Sequence, residues 1–127
     1  MIDKSKALVF IVDDDEHILK SLKLVLARHY NVHTCNNGIQ ALIQIKAMSP
    51  DVIVLDVKMP DKDGFWIFEQ VRAFNKKVPI IFNSAYQDKM ELQEVAGAFG
   101  PFAYLRKMGD VRGFIDTIAR AVKAGRA

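Results

Sequence analysis

With a single cysteine, Cys35, the 127-residue chain cannot close a disulfide within itself. A stapled fold of the secreted kind is therefore excluded, and a reducing compartment suits the composition. Long hydrophobic runs are also missing. The longest early one, Ala7 to Val12, is too short to span a membrane and ends in three aspartates, with no signal-peptide cleavage pattern. The cytoplasm is the expected location, with no membrane partner. No charge of one sign dominates, because 18 basic and 15 acidic residues are scattered along the chain and leave a net charge of +3. Direct nucleic-acid binding is not expected from that pattern. His17, His29 and His33 show no ligand spacing with a cysteine or an acid, so a soft-metal centre is excluded as well. Neither an internal repeat nor a low-complexity stretch interrupts the chain. Its length fits one domain, 1–127, in which the residues after Ala124 are either a natural end or the start of a linker to a further domain.

What is present is an ordered alternation of patterns. Ala7–Val12 is a continuous apolar run, as expected of a strand covered on both faces. Ile18, Leu19, Leu22, Val25 and Leu26 then recur at helical spacing, with Asp15 or Glu16 placed to cap the start. Val32–Cys35 is a short second strand, and Asn36-Asn37-Gly38 leads into a helix through Ile39, Leu42 and Ile45 that Ser49-Pro50 ends. Val52–Leu55 is the most strand-like segment. Phe65, Phe68 and Val71 mark a third helix, and Val78–Phe82 a fourth strand. A fourth helix through Leu92, Val95, Ala96 and Phe99 has poor propensity, with Gly97 inside it and Gly100-Pro101 after it. Phe102–Leu105 reads as the last strand. Val111, Phe114, Ile115, Ile118, Ala119 and Val122 define the final helix. Five strands alternating with five helices imply an α/β fold, a parallel sheet with helices on both faces, whose sites lie at strand carboxyl ends.

The chemistry gathers at those ends. Asp13 and Asp14 close the first strand, Asp56 the third, Ser84 follows the fourth and Lys107 the fifth. Three neighbouring carboxylates repel one another unless a cation neutralises them. Magnesium suits an all-oxygen donor set and keeps sites for phosphate oxygens, with manganese as the alternative. Asp56 is then free to attack an activated phosphorus and form an acyl phosphate. Lys107 and the Ser84 hydroxyl would meet the charge on the phosphoryl oxygens.

These segments together resemble the receiver domain of two-component response regulators over nearly the whole chain. The resemblance rests on Ile11-Val12-Asp13-Asp14-Asp15-Glu16, on the loop Leu55 to Gly64 with Pro60 inside it, on Pro79-Ile80-Ile81-Phe82-Asn83-Ser84-Ala85, and on Ala103-Tyr104-Leu105-Arg106-Lys107. It implies a flavodoxin-like sheet of order 2-1-3-4-5, the order that chemotaxis receivers of this family share with flavodoxin. It also implies that Asp56 is the phosphoacceptor, that Asp13, Asp14, Asp56 and the backbone carbonyl of Lys58 hold the metal, and that Ser84 and Tyr104 are switch residues. The implied donor is a sensor histidine kinase or phosphotransfer protein. A downstream protein or an output domain would receive the signal through the fourth helix, fifth strand and fifth helix, and phosphorylation-dependent homodimers are a further assembly. Such a domain is not an enzyme beyond catalysing its own phosphorylation and dephosphorylation.

The sequence departs from the family at Met108, where a proline joined by a cis bond is usual; a trans Lys107-Met108 peptide is expected, because a cis bond before a non-proline residue costs about 2.5 to 4 kcal/mol. Lys58 and Tyr86 border the site, two residues after Asp56 and Ser84, and are expected to tune dephosphorylation. Two rivals remain. An aspartate-based phosphohydrolase would need an acid where Lys58 stands, and a pseudo-receiver would bind proteins without taking up phosphate. Trp66 is read as partly packed on the third helix, with partner contact as the alternative.

Overall fold

The structure, a computed structural model, describes residues 3–84, 102–107 and 109–126. Its elements in chain order are β1 (Leu8–Val12), α1 (Glu16–Leu26), β2 (Asn31–Cys35), α2 (Gly38–Met48), β3 (Val52–Leu55), α3 (Gly64–Phe74), β4 (Ile80–Ser84), β5 (Ala103–Arg106) and a C-terminal helix (Val111–Arg126). All strand pairs are parallel, in the order β2-β1-β3-β4-β5. The expected flavodoxin-like sheet is therefore observed, with four helices among the described residues. The helix expected around Leu92–Phe99 lies outside the described residues.

Side-chain alternation explains why the central strands read as unbroken apolar runs. Phe10, Val12, Ile53, Leu55, Ile80 and Phe82 point to one face, where α2 and α3 add Ala41, Ile45, Ile67, Phe68 and Val71. Val9, Ile11, Val52, Val54 and Ile81 point to the other, against Leu19 and Leu26 of α1 and Phe114 and Ile118 of the C-terminal helix. Each central strand thus buries both of its faces, which favours the apolar runs of β1, β3 and the first part of β4.

The helix starts follow their capping residues. Asp15 accepts from the His17 and Ile18 amides, Asn37 from Gln40, and Asp63 from Trp66. Ser49 ends α2 in the left-handed region at φ 49°. Boundaries at β1, β2 and β5 shift by one residue from expectation, and two others differ by more. The fourth strand was expected over Val78–Phe82 and runs instead over Ile80–Ser84, because Pro79 has no amide for the ladder and the strand continues through polar residues. Asn83 and Ser84 are both buried there, so Ser84 is the last strand residue rather than the first loop residue. The final helix also continues past Val122 to Arg126, so most of the stretch read as a tail is helical. None of the described helices is long and apolar enough to cross a membrane.

Candidate functional site

Strand register brings the site together. Val12 stands opposite both Cys35 and Leu55, Leu55 opposite Phe82, and Phe82 opposite Tyr104. The carboxyl ends therefore form one row, and the next residues extend it: the Asp13 amide donates to the Cys35 carbonyl at 3.2 Å, Asp56 to Val12 at 2.9 Å and Lys107 to Ser84 at 2.8 Å. Backbone ladder bonds thus fix the two aspartates and the lysine before any side chain interacts.

Asp13 and Asp56 are almost fully buried, at 1% and 3% exposure, while Asp14 is exposed. One carboxylate oxygen from each of the three lies within 4.8 Å of the others. Lys107 reaches in from β5, its Nζ 3.1 Å from Asp13 Oδ2 and 3.0 Å from Asp56 Oδ2. The Lys107 ammonium is the donor that Asp56 Oδ2 meets among the described residues. Asp13 is better served: its Oδ1 accepts from the Asp15 amide at 2.9 Å and from Lys107 Nζ at 3.4 Å.

Electrostatics follow from this burial. Loss of hydration, followed by repulsion from Asp13, pushes the Asp56 carboxyl up to about 6, with Lys107 opposing the rise. Burial likewise raises Asp13, against its hydrogen bond from Asp15 and the pull of Lys107. Burial lowers the affinity of the Lys107 amine for its proton, but its two carboxylate partners more than reverse that, and its pKa is raised. One ammonium therefore faces two buried carboxylates, with the exposed Asp14 carboxylate beside them. Three carboxylates with oxygens within 4.8 Å of one another and a single lysine among them are a donor set that fits a hard divalent cation such as magnesium.

Ser84 ends β4 as a buried side chain and pairs with Arg106. Tyr104 is partly buried, its ring stacked on Phe82 with centroids 6.3 Å apart, and burial raises its phenol pKa. Lys58 is exposed on the loop after Asp56. Trp66 packs partly against the core and lies under the Lys62 amine, 5.3 Å from the ring centroid, so packing rather than free display describes it. Tyr86 and the Lys107-Met108 peptide lie outside the described residues.

The model of the response regulator receiver domain matches residues 9–119. The chain belongs to the response regulator receiver family. Among curated relatives, the transcriptional regulatory protein KdpE of Staphylococcus aureus is 33% identical over 120 residues, covering 91% of this chain and 51% of its own. The chain spans from 25% to 51% of the length of the first curated relatives it matches. Chemotaxis protein CheY4 of Vibrio cholerae is similar in structure at TM-score 0.78 and 29% identity, covering 91% of this chain and 98% of that one. A CheY-like receiver domain protein of Methanospirillum hungatei reaches TM-score 0.88 at 24% identity, covering 95% and 97% of the two chains. Membership places this receiver in phosphorelay signalling.

Two receiver residues that support the site were not singled out in the sequence. A side chain on Gly64 would collide with the Asp56 carbonyl oxygen and come within 3.0 Å of Val57 Cα. One on Gly38 would collide with the Lys62 carbonyl oxygen. Gly64 reads only as the end of the loop that begins at Leu55 and Gly38 as the end of Asn36-Asn37-Gly38, and neither local pattern reveals what presses against it.

Proposed function

We propose that this receiver takes a phosphoryl group onto Asp56 from a phosphohistidine of a sensor histidine kinase or phosphotransfer protein, beside a magnesium ion held by Asp13, Asp14, Asp56 and the Lys58 carbonyl. The observation that carries this reading is the Asp56 carboxylate itself, buried at the end of β3, 3.0 Å from the Lys107 ammonium and beside the carboxylates of Asp13 and Asp14. A carboxylate oxygen attacks phosphorus, the bond from phosphorus to the donor nitrogen breaks, and the imidazole leaves with the electron pair. An acyl phosphate results. When bound, the cation would offset negative charge on the carboxylates and the transferring phosphoryl group. Lys107 supplies the protein's own positive charge there, and Ser84 a hydroxyl donor at the end of the neighbouring strand.

Uptake changes the charge balance at β4 and β5. Ser84 and Tyr104 are the residues through which it would spread, because Tyr104 stacks on Phe82 two residues before Ser84. The output surface in this reading is β5 with the C-terminal helix and the segment before β5, offered to a downstream protein, an output domain or a second copy. Exposed Phe102, Val111 and Ile115 lie on these elements and support it. Lys58 and Tyr86 are proposed to set the lifetime of the phosphate, in a cytoplasmic protein whose only catalysis is its own phosphorylation and dephosphorylation.

Incubation with acetyl phosphate and magnesium, followed by intact mass measurement, tests this. The expected result is one phosphoryl adduct that chelation of magnesium prevents, with borohydride reduction converting Asp56 to homoserine. No adduct, or an adduct elsewhere, overturns the reading. A second expectation concerns pH. Magnesium should raise the melting temperature at pH 7.5 and do so progressively less as pH falls through about 6, where Asp56 gains a proton. Differential scanning calorimetry at several pH values measures it; a magnesium effect that grows on acidification would contradict it.

A further inference from the structure

We infer that Gly38 is a positioning residue for the phosphoacceptor loop: having no side chain, it lets the start of α2 seat directly on the backbone of Lys62 and so holds the segment between Asp56 and Gly64 in place. The functional consequence rests on the proposed role of Asp56. The geometric claim does not.

Gly38 is buried, and an added Cβ would collide with the Lys62 carbonyl oxygen, lie 2.7 Å from Lys62 Cβ and 3.0 Å from the Lys62 carbonyl carbon. Two of these three atoms are backbone, so no rotamer change relieves the overlap. At the other end of the loop, Gly64 presses on the Asp56 carbonyl in the same way, and its amide donates to the Val57 carbonyl at 3.1 Å. The loop is held between two helix starts. Its interior is anchored by buried Val57 and Met59, while Asp61 adopts a positive φ of 64° and the Lys62 amine covers the Trp66 ring.

Which side would yield to a side chain at Gly38 follows from what each side is fixed by. The start of α2 is capped by Asn37, whose Oδ1 accepts from the Gln40 amide at 2.9 Å, and Ala41 and Ile45 of the same helix are buried in the core. The Asp61–Lys62 stretch is at the surface with one residue in the left-handed region. The loop yields. Because Lys62 is followed by the α3 cap Asp63 and by Gly64, which lies against the Asp56 carbonyl and donates to the Val57 carbonyl, its movement is passed to the backbone that carries Asp56. A misplacement of about 1 Å can cost about a hundredfold in rate where reacting groups must be aligned.

The test compares wild type, Gly38→Ala and Gly113→Ala. The last adds a Cβ in the C-terminal helix, where it meets only the flexible Asp110 carboxylate at 3.3 Å. Trp66 is the one tryptophan, so its emission reports on the Lys62 side of the loop. Gly38→Ala should keep the far-UV circular dichroism and cooperative unfolding of wild type, shift Trp66 emission, weaken magnesium binding at least tenfold and slow phosphoryl uptake from acetyl phosphate at least tenfold. Gly113→Ala should change none of these. A folded Gly38→Ala protein with wild-type magnesium affinity and emission overturns the inference. Should that variant not fold, Gly38→Ala combined with Lys62→Gly decides: the Lys62 Cβ is gone while its carbonyl still meets the added methyl, so the double variant should bind magnesium at least threefold more weakly than Lys62→Gly alone, whereas equal affinity of the two overturns the inference. If wild type takes up no phosphoryl group, the role of Asp56 falls, while magnesium titration and Trp66 emission still judge Gly38.

Discussion

Asp56→Asn should abolish phosphoryl uptake and at the same time make the metal-free protein more stable at pH 7. The first effect follows from losing the nucleophile, since an amide oxygen does not displace a phosphoryl group at a useful rate. The second follows from the cost of keeping Asp56 ionised. Its carboxyl is raised from 3.8 to about 6, burial first and Asp13 second, so the folded state prefers the neutral form. The sign is therefore opposite to that of a salt-bridged surface acid: the group's contribution to stability falls as pH rises from about 4 to about 6 and stays unfavourable above. At pH 7 the shift corresponds to about 3 kcal/mol. Asparagine removes the charge in nearly the same volume but turns an acceptor-only group beside Lys107 into one carrying NH2, so a net gain of about 2 kcal/mol is expected. Urea unfolding in chelator measures it. Magnesium should narrow the gap, stabilising wild type more than the variant. An Asp56→Asn protein less stable than wild type without metal would show that the buried charge is better compensated than the Lys107 ion pair implies.

The fold was legible because each central strand buries both faces: an apolar run such as Val52-Ile53-Val54-Leu55 has one reading when strong turn and cap residues bound it. Boundaries were legible where a cap announced them, as at Asp15, and failed at β4, where the strand continues through buried Asn83 and Ser84. Polar residues there look like a strand end although both are buried. Asp13, Asp14, Asp56 and Lys107 were legible as a set because parallel topology places consecutive strand ends side by side. The ion-pair geometry was not, since nothing in the string of residues says that Lys107 would meet Asp13 and Asp56 at similar distances. Gly38 and Gly64 were hidden for another reason. Their importance lies in what they touch, and the partner of Gly38 is a backbone carbonyl of a different loop, which sequence pattern cannot show.

Lys107→Ala should have the opposite effect on stability to Asp56→Asn, and a larger one. The lysine is mostly buried, with 22% of its side chain exposed, and it is the cation that faces both Asp13 and Asp56. Its removal leaves two buried carboxylates repelling each other, and breaking a buried pair by deleting one partner typically costs about 3 to 5 kcal/mol. Partial exposure and protonation of one aspartate reduce that here to about 2 to 3 kcal/mol at pH 7. The pH dependence has a definite direction. The Lys107 pKa is raised, so its contribution is present throughout the acidic and neutral range and is lost only as pH climbs through the lysine's own titration. Its partners, however, lose their charge on acidification, so the gap between wild type and variant should be widest near pH 7 to 9 and close towards pH 4. Phosphoryl uptake should also slow, by about ten- to a hundredfold, through loss of one charge at the developing phosphoryl oxygens. Lys107→Arg should recover part of the stability by restoring the charge but less of the rate, because a planar guanidinium cannot reproduce the point contact of an ammonium at 3.0 Å from Asp56. Equal stability of Lys107→Ala and wild type at pH 8 in chelator would mean that the two carboxylates share a proton instead of relying on the lysine.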